Sequence, residues 1–171
     1  MIDYALRDFR IEGIPPIGAA AKDGRLIAVW FQKRKHEDVD AAVSRRFPDE
    51  TVRERQSAVI RETFKQLREY FAGTRRVFDL PIDAGGTDFQ AGVWRELQRI
   101  PYGRTVSYGD IAKSLKRPGA AIAVGQANGR NPVAIIVPCH RVIGANGALV
   151  GYASGTDIKQ RLLLMEGAVL L

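Results

Sequence analysis

A single cysteine, Cys139, stands in 171 residues, with two histidines far apart at positions 36 and 140. No internal disulfide can form, and no Cys/His zinc cluster is within reach, so the fold must be held by buried apolar side chains. The chain is long enough for a full core, in one compact domain or two small ones. Chemistry without metal or cofactor is expected.

The order of patterns favours two domains. Ile2, Tyr4 and Leu6, then Ile17–Ala21, then Leu26–Phe31 read as strands separated by turns such as Lys22-Asp23-Gly24, which predicts a small antiparallel sheet. Lys33 to Asp38 is a mixed charge run in a solvated loop, and His36 within it is given no role. Thr51-Val52-Arg53-Glu54 fits a capping box, and Val52, Gln56, Val59, Ile60, Phe64, Leu67 and Phe71 continue a helical stripe that Gly73 ends. Residues 1–80 are therefore expected to form a small α/β domain, with 81–87 as linker and 88–171 as a second domain.

In the second half, Thr87-Asp88-Phe89-Gln90 opens a helix with Phe89, Val93, Trp94 and Leu97 on its core face. A helix from about Tyr108 to Leu115, capped by Ser107, is followed by the turn Lys116–Gly119 and a helix from Ala120 to about Asn128. Two short helices joined by a tight glycine-containing turn make a helix-turn-helix. The second is poor in long side chains, and Ala123, Val124 and Ala127 are expected inside. Small residues on its other face would let it lie close to a nucleic-acid backbone. Gly144–Gly155 is a glycine-rich loop, and Thr156 is expected to cap a last helix bearing Ile158, Leu162, Leu163 and Met165. Glu166 ends that helix, where its dipole disfavours a carboxylate that lacks a partner.

The net charge is +7, and residues 1–87 hold 16 basic and 14 acidic side chains against 10 and 5 in residues 88–171. The excess lies in the cysteine half, which is weak evidence for a polyanionic partner. No apolar run is long enough to span a bilayer and the N-terminus lacks a secretory pattern, so a cytoplasmic protein without a membrane partner is expected.

Pro138-Cys139-His140-Arg141-Val142 concentrates the chemistry. A thiol is nucleophilic as thiolate, and a neighbouring imidazole favours that form. A lone cysteine is often an inert buried residue. Here Val133–Val137 reads as a buried extended segment that Pro138 breaks, delivering Cys139 and His140 at its end.

With these residues assembled, the chain closely resembles the O6-alkylguanine-DNA alkyltransferases. The likeness runs through Thr87-Asp88-Phe89-Gln90, Ile100-Pro101-Tyr102-Gly103, Ser107-Tyr108, Ala120–Gly125, Asn131-Pro132, Ile136–Ile143 and Leu162–Gly167. It implies an α/β N-terminal domain and a mainly α C-terminal domain with a winged-helix-like helix-turn-helix in the minor groove of double-stranded DNA. A monomer is implied, with cooperative binding along DNA left open. The family flips O6-alkylguanine, and O4-alkylthymine, into a pocket and moves the alkyl group irreversibly onto the cysteine.

By the same resemblance, Cys139 attacks, His140 takes the thiol proton through a water, and Glu166 orients the imidazole. Tyr108 donates to the departing purine. Asn131 ties the recognition helix to the active-site loop, and it is equally a turn former before Pro132. Val142, Val150, Tyr152, Ala153 and Ser154 line the base pocket, while Ala120, Ala121, Ile122, Gly125, Gln126 and Arg130 face DNA. At Ile122 the family usually carries an arginine that fills the gap left by the flipped nucleotide, whereas isoleucine can only wedge between bases.

Two other readings fit less well. A lesion-binding module of the alkyltransferase-like kind carries tryptophan where Cys139 stands. A cysteine hydrolase needs a distant histidine, for which His36 is the one candidate.

Overall fold

The computed structural model describes residues 1–33 and 39–168, so the charge run around His36 falls mainly outside the described residues. The chain divides into two compact units, Met1–Ala84 with Pro132–Ala134, and Gly85–Asn131 with Ile135–Leu171.

The first unit is built on a four-stranded sheet of order β3-β2-β1-β4, from β1 (Ile2–Arg7), β2 (Ile17–Lys22), β3 (Arg25–Phe31) and β4 (Val52–Glu54). Asp23 and Gly24 both adopt positive φ, 50° and 75°, and close the β2–β3 hairpin between the paired Lys22 and Arg25. Such a turn matches the twist of the strands it joins. Helix α1 (Ala58–Phe71) packs on β1, β2 and β3 through a face that includes Val59, Ile60, Phe64, Leu67 and Tyr70. Ile2, Ala20, Ile27, Ala28 and Val43 form a further buried cluster.

The expected helix start at Thr51 is corrected. Ile2 donates to the Thr51 carbonyl at 2.8 Å, Arg55 donates to the Tyr4 carbonyl at 2.8 Å, and β4 runs parallel to β1. Sheet pairing thus claims the backbone that a cap would use. The helix begins at Ala58, after Ser57, whose side chain makes no capping bond, and the sheet is mixed rather than antiparallel.

The boundary also differs from the expected one. Ile82, placed in the linker, bridges to Leu26, and Leu26 donates to the Pro81 carbonyl at 2.8 Å. Pro132–Ala134, expected in the second domain, lies on the edge of β3: Val29 donates to the Pro132 carbonyl at 2.9 Å and Ala134 donates to the Val29 carbonyl at 3.0 Å. An edge strand has unpaired groups to satisfy, and this segment satisfies them.

The second unit contains α2 (Asp88–Gln98), β5 (Val106–Ser107), α3 (Tyr108–Ser114), α4 (Ala121–Gly129), a 3-10 turn (Cys139–Arg141), β6 (Val142–Ile143) and α5 (Thr156–Met165). Reciprocal capping boxes start α2, through Thr87 and Gln90, and α3, through Ser107 and Asp110. Trp94 buries its ring and donates from Nε1 to the Ala127 carbonyl at 2.9 Å, joining α2 to α4. Helices α3 and α4 are the helix-turn-helix, their turn passing through Lys116 at φ 58°. Short strands β5 and β6 pair in parallel.

Three expectations are corrected here. Within the buried Val133–Val137 run only Val133 is bridged as a strand, to Val29, and residues 134–137 coil into turns with Ile135 at φ 68°. Thr156 is the first residue of α5 rather than its cap, and Gly155 at φ 105° holds that position without a side chain. On α4, Val124 and Ala127 are buried as expected, while Ala123 is exposed, since it shares the outward face with Ile122 and Gln126.

Candidate active site

The nucleophile candidate sits at the start of the 3-10 turn, where Cys139 donates its own N–H to the Val137 carbonyl at 2.8 Å. Its side chain is buried, and burial pushes the thiol up from its ordinary value. Several groups act the other way: the Asn131 amide, which donates to Sγ at 3.1 Å, the Lys159 charge, the Cys139 backbone and the Tyr152 hydroxyl. Asn131 also donates to the Val137 carbonyl at 2.8 Å, so one side chain fixes both the turn and the sulfur. Asn128, on α4, donates to the Cys139 carbonyl at 3.3 Å.

Beside it lies a closed ionic network. His140 Nε2 is 2.7 Å from Glu166 Oε1, and Arg141 donates to both Glu166 oxygens, from Nε at 2.9 Å and Nη2 at 3.0 Å. Burial raises the Glu166 carboxyl, but bonds from His140 and Arg141 overcome it and hold it at about 2. Burial lowers His140, and Glu166 only partly opposes this. With His140 lowered, the imidazole is neutral beside a carboxylate whose charged partner is the Arg141 guanidinium. In that state Nε2 carries the hydrogen toward Glu166 and Nδ1 is the free base, and Nδ1 is buried without a hydrogen-bond partner among the described residues.

Arg141 donates from Nη1 to the Ile100 carbonyl at 2.7 Å and stacks 5.8 Å from the Tyr102 ring centroid. Gly103, at φ 75°, brings its turn against α5 so closely that a Cβ would come 2.9 Å from the Glu166 carbonyl. The motif Ile100–Gly103 is therefore the seat of the network. Arg141 was missing from the expected site residues, as were Asn128, Tyr102 and Lys159. The signal for Arg141 was a guanidinium inside an apolar run. For Lys159 it was a lysine one residue from Ile158 on the buried side of α5.

The remaining expected residues fall into two groups. Tyr108 packs its ring against Gly125 of α4 and donates from its hydroxyl to the Val150 carbonyl at 2.8 Å. Burial, then Cys139, raises its hydroxyl. Val142 is fully buried in β6, Tyr152 and Ser154 are half-buried, and Val150 and Ala153 are exposed. On the helix-turn-helix, Ala120, Ala121 and Gly125 are half-buried, Gln126 and Arg130 are exposed, and Ile122 is 81% exposed. An isoleucine so exposed at the start of a helix has no packing role in the free chain.

Two family models match the chain: the 6-O-methylguanine DNA methyltransferase ribonuclease-like domain over residues 16–84, and its DNA binding domain over residues 88–168. A methylated-DNA–protein-cysteine methyltransferase of Methanosarcina acetivorans is 59% identical over 108 residues, 63% of this chain and 69% of that protein. One from Mycolicibacterium paratuberculosis is 60% identical over 102 residues, 60% of this chain and 62% of that protein. The crystal structure of Mycobacterium tuberculosis O6-methylguanine methyltransferase superposes with a TM-score of 0.82 at 41% identity, covering 98% of this chain and 93% of that one. The M. tuberculosis OGT structure in complex with DNA gives 0.80 at 41% identity, over 96% and 92%.

Proposed function

Since the chain belongs to the 6-O-methylguanine DNA methyltransferase family, we propose that Cys139 is the acceptor in its DNA repair reaction, taking the alkyl group from O6-alkylguanine once per molecule. The activity is the family's: an alkyl group passes from methylated DNA to a protein cysteine. Cys139 is the only cysteine in the sequence.

The observation that carries this reading is the placement of the Asn131 amide 3.1 Å from Sγ, next to a histidine whose outer nitrogen is fixed by Glu166. His140 Nδ1 takes the thiol proton through a water, and the imidazolium so formed is stabilised by the Glu166 carboxylate. The thiolate attacks the alkyl carbon in line, a new S–C bond replaces the O6–C bond, and the electron pair stays on O6. The purine is neutralised by a proton from Tyr108, whose hydroxyl exchanges its bond to Val150 for the base, and the tyrosinate is reprotonated from solvent while the His140 imidazolium gives up the thiol proton. The S–C bond of the resulting thioether is stable, and the sequence has no second cysteine to take the alkyl group on, so the protein is consumed.

The lesion is reached by flipping it from the duplex toward Tyr152, Ala153, Ser154, Val142 and Val150, with O4-alkylthymine as a second substrate. Helix α4 lies in the minor groove with Ala120, Ala121, Gly125, Gln126 and Arg130 toward the backbone and Ile122 entering the stack as an apolar wedge. The protein acts as a monomer in the cytoplasm. Mass spectrometry after incubation with O6-benzylguanine tests the acceptor: one benzyl adduct on Cys139 is expected, none in Cys139→Ser. Multiple turnovers per chain, or an adduct elsewhere, would overturn the assignment.

A further inference from the structure

Asn128 is the one polar side chain among the three residues that α4 buries, Val124 and Ala127 being apolar, and it is only 2% exposed. Its Nδ2 donates to the Cys139 carbonyl at 3.3 Å. That carbonyl also accepts the Val142 N–H at the end of the 3-10 turn, so it does not depend on Asn128. The reverse orientation of the amide would set two acceptors face to face, which turns Oδ1 away from the carbonyl. Oδ1 is buried there without a hydrogen-bond partner among the described residues, and the same is true of His140 Nδ1. A buried acceptor left unmatched costs stability, and an apolar side chain of similar shape would avoid that cost. Packing therefore does not account for an amide at this position.

We propose that Asn128 is a positioning residue of the alkyl-transfer site, whose Oδ1 anchors the water that relays the thiol proton from Cys139 to His140 Nδ1. The proposal rests on the reading of Cys139 as acceptor. The two unmatched acceptors meet at one peptide unit, because Asn128 bonds the Cys139 carbonyl and His140 follows that carbonyl in the chain. A buried water makes about three hydrogen bonds. One water that donates to Oδ1 and to Nδ1 and accepts the Cys139 S–H satisfies all three groups. The Asn131 amide already donates to the sulfur at 3.1 Å, which leaves the S–H as the group to be placed. As the S–H bond breaks, its proton passes to the water oxygen, and the water hydrogen aimed at Nδ1 passes to the imidazole. Thiolate, imidazolium and an intact water remain. The hydrogen held by Oδ1 stays in place, so the amide decides which hydrogen is delivered. The other groups facing this relay are Glu166 and Arg141 at His140, and Lys159 of α5, Tyr108 of α3 and Tyr152 of the glycine-rich loop at the sulfur.

The test is the rate of Cys139 benzylation by O6-benzylguanine between pH 6.5 and 9.5 in the parent and in Asn128→Leu, at a temperature where both are folded. At pH 7 the variant is expected to react about tenfold more slowly. The gap should close to about twofold at pH 9.5, where hydroxide removes the thiol proton without the relay. Lys159, lowered by burial to about 8, titrates in both proteins alike and cancels in the ratio. Equal rates at pH 7, or a slowing of the same size at every pH, overturns the proposal, because lost packing lowers the rate without regard to pH. An adduct absent from the parent would instead sink the acceptor reading.

Should Asn128→Leu not fold, a crystal structure of the parent at a resolution that shows ordered water decides the matter. One water within hydrogen-bond distance of both Asn128 Oδ1 and His140 Nδ1 is expected. No water joining those two atoms overturns the proposal.

Discussion

His140 Nε2 and Glu166 Oε1 lie 2.7 Å apart with both side chains fully buried. The residues are 26 positions apart in the chain, and the pair closes because Arg141 supplies Glu166 with a second, charged partner. A carboxylate at the last turn of a helix is disfavoured by the dipole, and here two side chains from one 3-10 turn offset that. Removing it should therefore affect folding and chemistry together. In Glu166→Gln, the Arg141 guanidinium is left buried without its counter-charge, a loss of about 3 kcal/mol or more. Thermal unfolding should show a markedly lower midpoint, and benzylation by O6-benzylguanine should be slowed at least tenfold. Unfolding at the parent temperature would show that the network is incidental.

The same pair predicts the acid limb of stability. Burial lowers His140 below its ordinary 6.5, so the unfolded chain takes up a proton that the folded one refuses. Its contribution is present above that range and is lost as pH falls. Glu166 sits at about 2 against an ordinary 4.5, so its contribution is present above 4.5 and is lost toward 2. Urea midpoints at pH 7.5, 6, 5 and 4 should therefore decline, beginning near pH 6.5. A flat profile from pH 7.5 down to pH 4 would contradict the His140 assignment, since the Glu166 contribution is lost mainly below that range.

Gly151 adopts φ 71°, and a Cβ there would stand 3.0 Å from the Tyr108 hydroxyl. Gly151→Ala is expected to strain the loop and displace Tyr108 from Val150, with a modest drop of about 1 kcal/mol in stability. Benzylation should slow several-fold more than that drop explains at a temperature where the variant is fully folded. Parent-like rates would mean that the Tyr108–Val150 contact is dispensable.

Ile122 separates binding from chemistry. An isoleucine wedge can prop a base step but cannot hydrogen-bond the orphaned base or offset phosphate charge. Ile122→Arg should therefore speed repair of an O6-methylguanine duplex and steepen its salt dependence, leaving reaction with free O6-benzylguanine unchanged. Equal duplex rates in parent and variant would show that this side chain does not enter the helix.

Much of this was legible in the sequence because the signals were local. The Thr87–Gln90 box and the Ser107 cap are made by residues close in the chain, and both form, the latter with Asp110 as a reciprocal partner. The hairpin at Asp23-Gly24 is equally local. Thr51–Glu54 carries the same kind of pattern, yet β1, about 50 residues away, takes its backbone into a parallel ladder. Non-local pairing leaves no mark within a short window. Likewise Val133–Val137 reads as extended from its apolar run, and only the backbone shows Ile135 turned to φ 68°. Cys139, His140 and Glu166 announced themselves by chemistry. Arg141 and Lys159 left only a weak local signal, since a buried cation is recognised by its partners, and those lie on other elements.

The placement of Pro132–Ala134 on the edge of β3 has a practical corollary. One compact body of this protein is assembled from two separated stretches of chain, so no single cut in the coding sequence yields two intact pieces. A fragment ending near residue 84 would expose the Val29 amide and carbonyl along a bare strand border, inviting other chains to dock there. Dissecting the molecule calls for grafting that tripeptide back, not merely for choosing where to truncate.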